Sequence, residues 1–307
     1  MPDEKTFGAK AHKALAKRGP LCVGVDPHAG LLRHWGLNDD VAGLERFSRT
    51  MVEAVAGTAA FVKPQSAFFE RFGSKGIAVL EKVIADTRAA GALLLLDAKR
   101  GDIGSTMAAY ADAYLDPASP LSVDAVTASP YLGFGSLTPL FDLAQAHNRG
   151  VFVLVLTSNP EGASVQRAKL KDGRTVAQSL VDDIAALNDD AEPLGSIGAV
   201  IGATIKGAPA ETTGSFAAVR EHTHGITHAS PQSDSAHDLV KLNGPILVPG
   251  MGAQGGRPGD LKRVLGRAAA AAIPSYSREI ARQGPSPAAI KEAVARTLEE
   301  CRTALRR

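Results

Sequence analysis

Three charged residues at close spacing, Asp97, Lys99 and Asp102, follow the unbroken run Leu93-Leu94-Leu95-Leu96. Consecutive leucines read as a strand buried on both faces, as in a parallel sheet. Side chains alternate along a strand, so Asp97 and Lys99 project to one side with small Ala98 opposite. Gly101 lets the backbone turn, which brings Asp102 within reach of the Lys99 ammonium. A lysine flanked by acids at a strand end stays protonated despite partial burial. Such a site offers a proton donor within a concentration of negative charge, the makings of general-acid chemistry. Taken alone, the same residues also suit a structural ion-pair network that caps the strand. Gly104-Ser105-Thr106 then opens a helix, with Ser105 the expected N-cap before Met107.

Positioning these groups requires a scaffold, and the rest of the chain alternates in kind. Apolar strand patterns fall at 21–26, 59–64, 93–97, 124–128, 151–156, 197–204, 245–249 and 269–273. Helical patterns fall at 7–17, 44–55, 77–90, 137–147, 176–187, 210–221, 261–265 and 287–305. This order predicts a (β/α)8 TIM barrel, with the 7–17 helix crossing its bottom. A doubly wound open sheet would place a glycine-rich G-x-G-x-x-G turn after its first strand, and Asp26-Pro27-His28 stands there instead. No linker divides the chain, so residues 1–307 are expected to form one domain. The polar stretch 222–238 reads as an insertion. Its His222, His224, His228 and His237 lack the companion cysteines or framed helical pair of a metal site, so a solvated loop is expected.

In such a barrel the active site lies at the C-terminal strand ends. The polar residues collected there are Asp26, Lys63, Asp97, Lys99, Asp102, Ser129, Ser158, Gln254 and Arg278. Singly, Lys63 suits a snorkelling lysine and Asp26 a turn former. It is their convergence on one mouth that points to a site. The loop Pro249-Gly250-Met251-Gly252-Ala253-Gln254-Gly255-Gly256 follows strand seven, and Ser275-Tyr276-Ser277-Arg278 follows strand eight. Barrels commonly hold phosphate between these two loops, on exposed backbone N–H groups, and Arg278 adds a planar fork for the oxygens.

The stretch D-A-K-R-G-D-I-G-S-T at 97–106 closely resembles the signature of the orotidine 5′-phosphate decarboxylase family, in the form found in its stand-alone bacterial members. V-G-V-D-P around Asp26, F-V-K-P around Lys63, S-P-Y-L-G at 129–133, T-S-N-P-E-G at 157–162, the glycine loop at 249–256 and Ser277-Arg278 extend the resemblance from about residue 21 to 278. The resemblance implies decarboxylation of orotidine 5′-phosphate to uridine 5′-monophosphate (UMP) and CO2, the last step of de novo UMP synthesis. It implies an alternating array of Lys63, Asp97, Lys99 and Asp102, with Lys99 delivering the proton and no metal or organic cofactor. Asp26 and Lys63 would hold ribose hydroxyls, Ser158 the pyrimidine, and Gln254, Arg278 and the backbone at Gly250, Gly252 and Gly255 the phosphate. A homodimer is implied too, with Asp102 and Thr106 entering the partner's site.

Composition sets the outer bounds. The 307 residues are 45% hydrophobic and 21% charged, with a formal net charge of +2, as expected of a soluble globular chain. Neither the charge nor the sparse aromatics support a nucleic-acid or membrane surface. The charged N-terminal residues 1–18 form neither a signal peptide nor a span, and Cys22 and Cys301 sit in apolar patterns as reduced thiols. A cytoplasmic enzyme is expected. Two other readings stay open: a metal-dependent sugar-phosphate enzyme sharing D-x-K-x-x-D, and a non-catalytic nucleotide or phosphate binder.

Overall fold

The computed structural model describes residues 5–205 and 238–305. Its strands are β1 (Cys22–Val25), β2 (Phe61–Pro64), β3 (Leu93–Arg100), β4 (Ala125–Ala128), β5 (Gly150–Leu156), β6 (Ile197–Ile201), β7 (Ile246–Val248) and β8 (Ala272–Tyr276). All pair in parallel and in chain order, and β8 returns to β1, closing a (β/α)8 barrel. The expected TIM-barrel class is therefore the observed one.

Alternation decides which side chains meet inside. Cys22, Phe61, Leu95, Ala125, Phe152, Val200, Leu247 and Ile273 form an inner cluster, one from each strand. The intervening Val23, Val62, Leu94, Leu96, Val126, Val151 and Val153 join the layer under the helices. Helix Phe7–Arg18, capped by the Thr6 hydroxyl, closes the bottom. There Phe7 meets Phe61 and Phe152 edge-on, with ring centroids 6.5 and 6.0 Å apart. Burying a phenylalanine this fully contributes about 1.5–3 kcal/mol. The same parity, two residues further along, brings Lys63, Asp97 and Thr127 to the inner face at the opposite end.

Several boundaries differ from expectation. β3 runs on to Arg100 instead of stopping at Asp97. The last strand lies at Ala272–Tyr276, three residues beyond the expected 269–273, because the alanine run folds into the 3-10 segment Gly266–Ala271. Alanine has little preference for a strand, and the Pro-Ser-Tyr continuation is accommodated at Val248↔Pro274 in the parallel ladder. The helix after β3 begins at Gly104, φ +53°, with Ile103 at the N-cap position, so Ser105 lies inside the first turn and caps nothing. The expected helix at 210–221 and the insertion at 222–238, with its histidines, fall outside the described residues, apart from Asp238 at the start of the short helix Asp238–Lys241.

Candidate active site

At the C-terminal mouth of the barrel, Asp97 is the hub. Its Oδ2 accepts from Lys63 Nζ at 3.1 Å and from Gln65 Nε2 at 3.3 Å. Its Oδ1 accepts from Lys99 Nζ at 2.6 Å and from Thr127 Oγ1 at 2.9 Å. Burial alone would push the Asp97 carboxyl up, but the two ammonium groups outweigh it and hold the carboxyl well below the usual range. Burial likewise opposes the charge on Lys63, and Asp97 and Asp26 overcome it, raising the ammonium above its ordinary value. Two cations and one carboxylate leave the array with a net positive charge.

The two lysines differ in access. The Lys63 side chain is only 7% exposed, that of Lys99 45%. An ammonium has three donors, and Lys99 directs one at Asp97. Lys99 reaches Asp97 through an irregular backbone, with φ +49°. The β3–β4 register shifts here: Leu96 pairs with Val126, but the next ladder partners are Arg100 and Ala128. Asp97 and Lys99 do share a side, as strand alternation suggests, though Lys99 gets there through this bulge. Arg100 turns away from the mouth, hydrogen-bonding the Ala98 carbonyl at 3.0 Å and pairing with Glu70. At Gly101 a Cβ would come 2.2 Å from the Ser129 carbonyl oxygen, so the turn admits only glycine.

A cavity of about 230 Å³ opens over the array. Asp26, Lys63, Gln65, Asp97 and Lys99, from the ends of β1, β2 and β3, line it together with Gly250, Gln254 and Arg278, from the segments after β7 and β8. Gly250, Gly252 and Gly255 have φ of +87°, +65° and +96°, a left-handed backbone path that turns the β7 loop back on itself. The Arg278 guanidinium makes no hydrogen bond or ion pair among the described residues. Asp26 Oδ1 and Ser277 Oγ are buried without a partner among them.

The cavity thus gathers Asp26, Lys63, Asp97, Lys99, Gly250, Gln254 and Arg278 from the expected set. Ser129, Ser158, Gly252, Gly255, Asp102 and Thr106 do not line it. Ser158 stands beside it, near Gly250 at the end of β5. Asp102, expected from spacing to reach Lys99, instead accepts from the Ile103 N–H at 2.8 Å, and no hydrogen bond or ion pair joins it to Lys99. Gln65 and Thr127 were missed by the sequence reading. Each had a signal: Gln65 follows Lys63 by one strand period, and Thr127 shares inner-face parity with Ala125. Among the described residues, no three His, Cys, Asp or Glu side chains cluster in a metal-holding group, and no helix is long and apolar enough to cross a membrane. Cys22 and Cys301 are free and buried.

This constellation can bind a doubly anionic ligand, with one anionic group facing Lys63–Asp97–Lys99 and another in the glycine loop and Arg278. The chain is similar to known proteins over nearly its whole length. The model of the orotidine 5′-phosphate decarboxylase / HUMPS family matches residues 19–293. An orotidine 5′-phosphate decarboxylase of Salinispora arenicola is 56% identical over 301 residues, which are 98% of this chain and 99% of that one. The Streptomyces coelicolor enzyme of the same name is 54% identical over 97% of this chain and 98% of its own. A crystal structure from Streptomyces avermitilis, described as an orotidine 5′-phosphate decarboxylase, superposes with a TM-score of 0.86 at 53% identity, covering 99% of this chain and 97% of that one.

Proposed function

The chain belongs to the orotidine 5′-phosphate decarboxylase / HUMPS family, and we propose that it converts orotidine 5′-phosphate to UMP and CO2 with Lys99 as proton donor. The observation that carries this reading is the Lys63–Asp97–Lys99 array facing Gly250, Gln254 and Arg278 across one cavity. A nucleotide with its phosphate on Arg278 and the loop backbone, and its ribose between Asp26 and Lys63, would set the pyrimidine C6 carboxylate beside Asp97 and Lys99. Ser158, which stands near Gly250, would contact the pyrimidine.

The chemistry then follows from charge. The C6–carboxylate bond breaks, CO2 leaves, and the electron pair stays on C6. Asp97 opposes the localised charge of the substrate carboxylate more than the spread charge of the transition state. The Lys99 ammonium stabilises the developing carbanion and delivers a proton to C6, and solvent later restores that proton. Asp97 already accepts from four donors and serves as a fixed charge, not as a base. Binding energy from the distant phosphate is realised at the reacting centre. These steps call on no metal or organic cofactor, in keeping with the last reaction of UMP synthesis.

Asp102 and Thr106 act in this account from a second copy of the chain, each completing the partner's site in a homodimer. Supporting this, Asp102 does not line its own cavity, and large apolar residues next to it in the chain and in the loop after β4 are exposed: Ile103 at 62%, Tyr131 at 78% and Leu132 at 54%. Exposed large apolar side chains are a feature of association surfaces. Residues 1–307 work in this reading as one decarboxylase domain carrying the 222–238 insertion.

Purified protein supplied with orotidine 5′-phosphate in EDTA is expected to release UMP, followed as loss of orotate absorbance. Folded protein that turns over nothing would overturn the reading. Activity seen only after adding magnesium, on a sugar phosphate, would assign the chain to the metal-dependent side of its family.

A further inference from the structure

We propose that Thr127 is a positioning residue for the decarboxylation: its hydroxyl pins the bulge in β3 that aims Lys99 at the reacting carbon. The inference rests on the decarboxylase reading above. Between the ladder pairs Leu96↔Val126 and Arg100↔Ala128, β3 spends Asp97, Ala98 and Lys99 where β4 spends Thr127 alone. Bulges of this kind re-aim side chains beside active sites, and they interrupt the regular ladder. Here a side chain from β4 fills the interruption. The Lys99 backbone N–H donates to Thr127 Oγ1 at 2.9 Å, and Thr127 Oγ1 donates to Asp97 Oδ1 at 2.9 Å.

A hydroxyl has a single hydrogen. Since Lys99 N–H occupies an acceptor position, that hydrogen is committed to Asp97, and the rotor is fixed from both sides. One atom thus ties the backbone of the proton donor to the carboxylate that receives its ammonium 2.6 Å away. Thr127 is 1% exposed and does not line the cavity, so it acts through Asp97 and Lys99 rather than on the ligand. Lys99 stands at φ +49°, a conformation that β-carbon residues adopt only when the surroundings hold them there. Thr127 supplies that hold.

The test compares Thr127→Val, which keeps the shape and loses the hydroxyl, with Thr127→Ser, which keeps the hydroxyl. Thr127→Val is expected to lower kcat by about 10- to 100-fold through misplacement of Lys99. Its KM and its affinity for UMP should stay within about threefold of wild type, since no group that meets the ligand has changed. Thr127→Ser should keep kcat within about threefold of wild type. A folded Thr127→Val with wild-type kcat would overturn the inference, as would a Thr127→Ser equally impaired. Should Thr127→Val not fold, Thr127→Ser against Thr127→Ala isolates the hydroxyl, because both lack the methyl group; equal kcat in that pair would also overturn it. Wild-type protein without turnover would remove the decarboxylase reading and this inference together, whereas an active wild type matched by Thr127→Val would remove the inference alone.

Discussion

At the end of the cavity built by β2, β3 and β4, the Asp97 carboxylate is surrounded by four donors. At the end built by the β7 and β8 loops, Arg278 is unpaired among the described residues, and Ser277 Oγ is buried without a partner among them. The contrast separates two tasks. A reacting end gains from charges fixed before substrate arrives, because no reorganisation is then needed during the reaction. A gripping end gains from donors and acceptors that a ligand can satisfy, because an unpaired buried polar group costs about 1–3 kcal/mol until it is met.

The largest effect that would sharpen this contrast comes from mixing inactive chains. If Asp102 is supplied by a partner, Lys99→Ala and Asp102→Ala subunits should rebuild one intact site per heterodimer. Equal amounts under subunit exchange should then recover about one quarter of wild-type activity, the statistical share of intact sites in a twofold assembly. Mixtures no more active than the separate variants, with exchange demonstrated, would confine each site to one chain.

A smaller effect concerns the fixed charges as contributors to stability. Asp97 is held low by Lys63 and Lys99 against the opposing pull of burial, so its contribution is present above the unfolded value of about 3.9 and is lost as pH falls below it. Lys63 is held high, so its contribution is present below the unfolded value of about 10.4 and is lost as pH rises through the higher folded value. Asp97→Asn, which leaves two ammonium groups without their shared counter-charge, should cost about 3–5 kcal/mol at neutral pH. The deficit should shrink in denaturant melts run progressively below about pH 4, where wild-type Asp97 loses its advantage. A deficit independent of pH would show that packing, not charge, accounts for it.

Much of this architecture is legible in the sequence, and the exceptions have physical causes. The apolar runs at β1, β2, β5, β6 and β7 fall where their patterns put them, because a strand buried on both faces is apolar at every position. β8 is displaced, since alanines at 268–271 are equally at home in a 3-10 segment. The charged ends of β1, β2 and β3 converge because strand parity and parallel register together fix where Asp26, Lys63 and Asp97 emerge. For Asp102 spacing alone is not enough: after the Gly101 turn, pressed against Ser129, its carboxylate accepts from the Ile103 N–H, and Lys99 pairs with Asp97. Thr127 was hidden for a related reason. Its task depends on a bulge in the neighbouring strand, and a bulge leaves no mark in the sequence of the strand that repairs it.

The division between a reacting and a gripping end is tested most directly by measuring turnover of orotidine 5′-phosphate and affinity for UMP in Lys99→Ala and Arg278→Ala side by side. Lys99→Ala is expected to lose at least about 10³-fold in kcat while binding UMP within about tenfold of wild type. In Arg278→Ala the loss should fall on UMP affinity, by about 10- to 100-fold. A Lys99→Ala protein that turns over at the wild-type rate, or loses UMP affinity as heavily as Arg278→Ala, would contradict the account.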